Sequence, residues 1–147
     1  RRKAMLMEVD YKRDLEGVDW DEMKATLVAD DFDNGRTPEQ LKRSFANSHS
    51  TCIAYTEGRI IGTVRLLSDG VCNAYVVDAW THSAYRRQGI GRRMMEELLV
   101  ELPGQHVYLF TDHDAVEFYH ALGFKEQGIG LARVMGQWLD NKAPVEL

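Results

Sequence analysis

Apolar and polar positions along this 147-residue chain first alternate and later recur at helical spacing. Over residues 5–11, Leu6, Glu8 and Asp10 alternate with Met7, Val9 and Tyr11, which predicts a first strand. Trp20, Met23 and Leu27 recur at helical spacing over residues 18–29. The next helix carries its own start signal. Thr37 is placed to cap it, Pro38 fills the first position, where an amide hydrogen has no helical partner, and Gln40 completes a capping box. Leu41 and Phe45 supply its apolar face. Strands over 51–56 and 59–67 flank Glu57-Gly58 and predict a hairpin, and a third strand over 71–80 follows the turn at Asp69-Gly70.

The second half changes character. Met95, Leu98, Leu99 and Leu102 predict a helix over 91–102, which Pro103-Gly104 ends. A short strand over 106–110, a helix over 115–122 closed by Gly123, and final strands over 124–127 and 131–138 complete the reading. The strand–helix–strand passage predicts a parallel pair joined by a right-handed crossover. The layout is α+β: a mixed sheet of about seven strands with about four helices, antiparallel in its first half.

Length and composition place this layout in a single domain over residues 1–147, with the first four residues read as a tail. Hydrophobic residues make up 44%, enough for a core without disulfide or metal staples. The 23 acidic against 18 basic residues give a net charge of −5, which disfavours nucleic acid as a partner. No apolar run approaches a membrane span, so no membrane partner is expected. Cys52 and Cys72 lie far apart with no CxxC spacing; they read as two buried thiols in a reducing cytoplasm.

Chemistry concentrates between the long strand and the helix after it, at Arg86-Arg87-Gln88-Gly89-Ile90-Gly91-Arg92-Arg93. Two glycines allow the backbone to turn and to approach a ligand closely. A helix N-terminus follows, and four arginines flank it, which together suit a phosphate. The loop is not a Walker motif, which needs Gly-Lys-Ser/Thr, and Met94 stands where a dinucleotide fingerprint needs its third glycine. The pattern that remains, R-x-x-G-x-G, also fits an ordinary tight turn.

Residues 77–91, ending in Arg86-Arg87-Gln88-Gly89-Ile90-Gly91, resemble motif A of the GNAT superfamily of acyl-CoA-dependent N-acetyltransferases. Ala115-Val116-Glu117-Phe118-Tyr119-His120-Ala121-Leu122-Gly123-Phe124 resembles its motif B. The resemblance covers residues 71–126 most strongly. It implies a GNAT fold, with a splayed wedge between two parallel strands, and acetyl-CoA as cosubstrate. The amides of Gln88, Gly89, Ile90, Gly91 and Arg92 would hold the CoA pyrophosphate, with charge from Arg86, Arg87 and Arg92. Trp80, Thr81 and His82 would line the pantetheine arm. Trp80 is bulky for that place and faces either the arm or the core.

The same resemblance implies that Tyr119 protonates the leaving thiolate as general acid, although its helical stripe with Ala115, Phe118 and Leu122 equally suits a core residue. Asp78, a carboxylate in an apolar strand, reads either as the base that deprotonates the amine or as a group that orients a neighbour or holds the acceptor. It should share a face with Trp80 unless a bulge intervenes. His82 is a second candidate base. Asp112 stands where many members have an asparagine that contacts the pantetheine arm, and an ionised aspartate can only accept. No metal is expected, because the adjacent Asp112, His113 and Asp114 do not converge on one ion.

The expected acceptor is a primary amine. Asp30, Asp31 and Asp33 in the loop over 30–35 could attract a cation or simply be solvated, and Tyr55, Tyr75 and Trp138 could add aromatic walls. A homodimer through residues 134–139 is expected from their apolar character. The competing reading is a non-catalytic acyl-CoA-binding sensor or interaction module, which would need neither Tyr119 nor Asp78.

Overall fold

A computed structural model describes residues 7–136 of the chain. Its single sheet runs in chain order through β1 (Asp10–Lys12), β2 (Ser50–Thr56), β3 (Arg59–Ser68), β4 (Asn73–Thr81) and β5 (His106–Tyr108). The first four strands are antiparallel and β5 lies parallel to β4. Helices α1 (Trp20–Ala29) and α2 (Pro38–Ala46) join β1 to β2, α3 (Ile90–Leu99) carries the crossover from β4 to β5, and α4 (Val116–Ala121) follows β5. This is the mixed α+β layout expected from the sequence.

The expected count of about seven strands is not confirmed. Among the described residues the sheet has five strands, not about seven. Residues 124–127 join no ladder, and residues 131–136 are irregular. Gly128, in the left-handed region at φ +65°, and Gly130 interrupt the alternation that a strand pair would need. The remainder of the last expected strand, the dimer contact over 134–139 beyond Gly136, and Trp138 lie outside the described residues. The first strand is also shorter than expected, three residues pairing Asp10 with Tyr55 through Lys12 with Ile53.

The helix starts follow from side-chain capping. Asp19 accepts from the Glu22 amide at the head of α1. At α2, Thr37 Oγ1 accepts from the Gln40 amide at 3.1 Å and Gln40 Oε1 accepts from the Thr37 amide at 2.9 Å. Both legs of the capping box therefore form.

Strand alternation divides the core between the two faces of the sheet. Ile53, Ile60 and Trp80 pack with Met23 and Leu27 of α1 and Leu41 and Phe45 of α2. Cys52, Ala54, Ile61, Val64, Leu66, Ala74 and Val76 face Ile90, Met94, Met95 and Leu98 of α3. Each such fully buried aliphatic side chain contributes roughly 1.5–3 kcal/mol. Gly62 lets α3 sit close, since a Cβ there would lie 2.8 Å from Met94 Cε and 3.1 Å from the Trp80 carbonyl. No helix among the described residues is long and apolar enough to cross a membrane.

Candidate active site

Two features of β4 create the site. Its pairing with β5 begins at Asn73 with His106 and ends at Tyr75 with Tyr108, although β4 continues to Thr81. Beyond Tyr75 the edge that faces β5 has no ladder partner, and the two strands diverge. The second feature is a bulge. Thr63 pairs with Trp80 and Arg65 with Val77, so three steps along β4 match two along β3. Asp78 takes up the extra residue in the left-handed region, at φ +51°. Its carbonyl accepts from Thr63 Oγ1 at 2.8 Å.

The divergence opens a cleft of about 760 Å³. Its lining joins the glycine loop and the head of α3, the free part of β4, Tyr119 and Phe118 of α4, and Asp31 and Phe32 of the loop after α1. One continuous space therefore connects the loop expected to bind phosphate with the loop expected to meet an acceptor.

At the glycine loop, Arg87 and Gly89 both adopt positive φ, +61° and +80°. Gly89 is the N-cap of α3 and has no side chain to satisfy it. The first helical bond is from the Arg93 amide to the Gly89 carbonyl, at 3.0 Å. The amides of Ile90, Gly91 and Arg92 precede it and have no helical acceptor. The first turns of α1 and α2 hold acidic residues, whereas α3 has none and carries Arg92. A cation there opposes the helix dipole, so this end is built for an anion from outside the helix. Gly91 serves packing instead. A Cβ on it would lie 3.2 Å from Thr81 Oγ1 and 3.3 Å from Phe118 Cζ, which ties α3 to β4 and α4.

The arginines differ in freedom. Arg86 Nε donates to the Thr81 carbonyl at 3.2 Å, which braces the end of β4. Arg92 pairs with Glu96 one turn along, at 2.7 Å, on the surface. Arg87 has no side-chain partner among the described residues. Gln88 is exposed, while the side chain of Ile90 is buried in the core and leaves only its amide toward the cleft.

Trp80 faces the core. It is 3% exposed, packs among the α1 and α2 side chains, and donates its indole N–H to Asp30 at 2.9 Å. Asp30 also accepts from the Ser83 amide at 3.0 Å and from the Ser83 hydroxyl. Burial raises the Asp30 pKa, but these hydrogen bonds outweigh it and hold the carboxyl below its ordinary value. His82 lies beside this hub. Its Nδ1 accepts from the Ala84 amide at 3.0 Å, so the proton of the neutral ring is on Nε2, 3.9 Å from Asp30.

Asp78 is clamped by two arginines. Arg36 forks onto it, with Nη1 at 2.8 Å from Oδ2 and Nη2 at 2.9 Å from Oδ1. Arg65 Nε reaches Oδ2 at 2.6 Å. The Asp78 side chain is 15% exposed. Burial acts to raise its pKa, and the two guanidiniums outweigh burial and hold it down. A bulge does intervene, yet Asp78 and Trp80 still share a side: Asp78 meets Arg36 of the loop between α1 and α2, and Trp80 packs among α1 and α2 side chains.

Tyr119 is nearly buried beneath the cleft, against Phe118 and Phe124, with ring centroids at 4.9 and 5.9 Å. Burial, and then the negative charge of Asp112, raise the pKa of its phenol. Asp112 lines the same cleft, where Oδ1 accepts from the Ala115 amide at 3.2 Å and caps the turn that leads into α4. Aspartate does this as well as asparagine. Of the carboxylates near the acceptor loop, Asp33 is engaged by Lys24 at 2.6 Å and Asp30 by Trp80 and Ser83. Only Asp31 of the three lacks a partner among the described residues. Tyr75 lines the cleft edge-on to Phe110, while Tyr55 lies away from it beneath Lys12.

Arg36, Arg65 and Gly62 were not singled out in the sequence. Arg65 did carry a signal: it is a lone cation between Val64 and Leu66, in a strand antiparallel to the one that holds the lone anion Asp78.

Comparison with known proteins shows the family. Residues 15–124 match the model of the acetyltransferase (GNAT) family, and the chain belongs to that family. A Glycine max protein named histone acetyltransferase TAP1 is 36% identical over 86 residues, 56% of this chain and 36% of that protein. An Oryza sativa subsp. japonica protein named serotonin N-acetyltransferase 2, chloroplastic, is 31% identical over 96 residues, 60% of this chain and 48% of that protein. The chain thus spans between about a third and about half of the length of these curated relatives. Among solved structures, one from Deinococcus radiodurans has a TM-score of 0.76 at 28% identity, covering 90% of this chain and 93% of that one. An acetyltransferase of the GNAT family from Streptococcus pneumoniae has a TM-score of 0.73 at 26% identity, covering 88% of this chain and 100% of that one.

Proposed function

We propose that the chain transfers the acetyl group of acetyl-CoA directly to a primary amine. One observation carries this reading. A single cleft joins a helix N-terminus without a side-chain cap, an unpaired strand edge, and a nearly buried tyrosine. These three features suit, in turn, a diphosphate, an amide-bearing arm and a leaving thiolate.

In this reading the amides of Ile90, Gly91 and Arg92 receive the diphosphate, with Arg87 nearby. Gln88 and Gly89 shape the turn, and Arg86 contributes by bracing the end of β4 rather than by direct charge pairing. The free edge of β4 near Thr81 and His82 accepts the arm through main-chain groups. The thioester supplies the acetyl group. A main-chain N–H of β4 stabilises negative charge on the carbonyl oxygen as it develops. Tyr119, a phenol in the lining of the cleft, donates its proton to the departing sulfur.

Neither carboxylate nor imidazole is poised as the base. Asp78 is held ionised by two guanidiniums, and its lowered pKa makes it a poor proton acceptor. The Nδ1 lone pair of His82 is already engaged by the Ala84 amide. The proton of the attacking amine therefore leaves through water. The relatives are named for acceptors as different as histone and serotonin, so they support the type of reaction and not one acceptor.

The test is thiol release from acetyl-CoA across a library of primary amines, with Tyr119→Phe as control. Amine-dependent release that the variant loses supports the reading. Tight acetyl-CoA binding without release from any amine would favour the sensor instead.

A further inference from the structure

Asp78 sits in a backbone conformation that non-glycine residues disfavour, at φ +51°, and the surrounding structure must hold it there. Three of its ties come from the sheet: the β4 backbone itself, Thr63 Oγ1 on its carbonyl and Arg65 on its carboxylate. The fourth does not. Arg36 belongs to the loop between α1 and α2, 42 residues away, and its Nε is steadied by Asn34 Oδ1 at 2.8 Å. The same loop is tied at its other end, where Asp30 accepts from Trp80 and Ser83. Both ends of one loop thus grip β4, one at the bulge and one just beyond it, with Phe32 between them at 6.3 Å from the Trp80 ring.

We infer that Arg36 is a positioning residue for acyl transfer: its fork on Asp78 sets the β4 bulge and ties the acceptor-side loop to the strand edge that lines the cleft. A bulge redirects the main-chain groups beside it. Beyond Tyr75 those groups have no partner on β5, so nothing on the cleft side holds them. Without the fork, Asp78 can relax toward ordinary extended backbone. The N–H groups that point into the cleft then turn. The head of α3 rests through Gly91 on Thr81, at the far end of β4 past the bulge, and on Phe118 of α4. Loss of the fork therefore costs turnover more than cofactor affinity. A planar fork is essential, because lysine offers a point charge and cannot bind both carboxylate oxygens in one plane.

This inference rests on the acetyltransfer reading for its kinetic half, and amide hydrogen exchange supplies a half that does not. The proteins to compare are the parent, Arg36→Met and Arg36→Lys, each free of ligand. The expected result is that amides over 77–80 exchange about tenfold faster in both variants, while α3 amides keep parental rates. With acetyl-CoA and an amine acceptor, kcat falls about tenfold while the acetyl-CoA Kd from titration calorimetry stays within about twofold. Parental exchange over 77–80 would overturn the inference. So would loosening of β4, α3 and the core together with a matching rise in Kd, the signature of a general brace. A parent that acetylates no amine sinks the acetyltransfer reading alone, and the exchange rates still decide whether Arg36 sets the bulge.

Discussion

The indole N–H of Trp80 ends 2.9 Å from a carboxylate oxygen of Asp30, which fastens the end of β4 to the end of α1. Asp30 accepts from Ser83 as well, but Ser83 is exposed to water, so replacement of Asp30 strands one buried donor, the Trp80 indole. Asp30→Ala is expected to destabilise the fold by about 1–3 kcal/mol for the indole N–H left buried and unpaired. Urea denaturation of parent and variant measures this. A loss within about 0.5 kcal/mol would show that the hub is ornamental.

Acid sensitivity follows chiefly from three carboxylates shielded by the fold; Asp69 and Glu126, whose pKa values are lowered as well, are fully exposed. Asp30, Asp33 and Asp78 all have pKa values below the ordinary aspartate value in the folded chain. Each folded pKa lies below its unfolded counterpart, so each contributes stability above about pH 4 that is lost as pH falls through the folded value. The expected result is a steep fall in melting temperature below about pH 4. Asp30→Asn should flatten that fall, since one of the three groups no longer titrates.

The two glycines of the loop fail differently. Gly89 has open space around a Cβ but sits at φ +80°, so Gly89→Ala strains the backbone by roughly 1–2 kcal/mol and disturbs the amides behind it. Acetyl-CoA affinity is expected to fall while the packing of α3 is kept. Gly91→Ala instead pushes against Thr81 and Phe118, and is expected to lower thermal stability. Calorimetric titration and melting curves on both variants separate the two effects.

The thiols report on burial. Cys52 is fully buried, and desolvation pushes its thiol up to about 11; Cys72, expected to be buried, is instead exposed, because it lies in the turn that leads into β4. A chromogenic disulfide reagent is expected to titrate Cys72 in the native protein and Cys52 only after denaturation. Prior blocking of Cys72 should leave turnover unchanged, because neither cysteine of the chain enters the proposed transfer.

Replacement of Tyr119 isolates the acid. Tyr119→Phe removes one hydroxyl from a ring already packed by Phe118 and Phe124. Turnover is expected to drop more than about tenfold with acetyl-CoA binding little changed. Asp78→Asn is expected to lower kcat without displacing the acidic limb of the pH profile of kcat/KM. A shifted limb would return Asp78 to the role of base.

Local chemistry made much of this legible in advance. Thr37, Pro38 and Gln40 announce α2 without any knowledge of its neighbours, because a capping box is closed within four residues. Glu57-Gly58 announces the hairpin for the same reason. The glycine loop is readable because a turn, a helix start and clustered arginines are all adjacent in sequence. What escaped is non-local. Asp78 looked like a candidate base because the arginine that forks onto it lies 42 residues earlier, in a loop with no periodic signal. The direction of Trp80 depends on a bulge, which shifts strand alternation by one residue and leaves no mark in composition. Residues 124–127 look like a strand by their apolar start, but Gly123 and Gly128 on either side, both at positive φ, favour irregular chain.

The most direct measurement is titration calorimetry of the chain with acetyl-CoA and, separately, with CoA. The account predicts micromolar binding of both, around −8 kcal/mol, with the affinity reduced by Gly89→Ala. No heat of binding at millimolar ligand would contradict it, and the uncapped head of α3 would then be an ordinary turn.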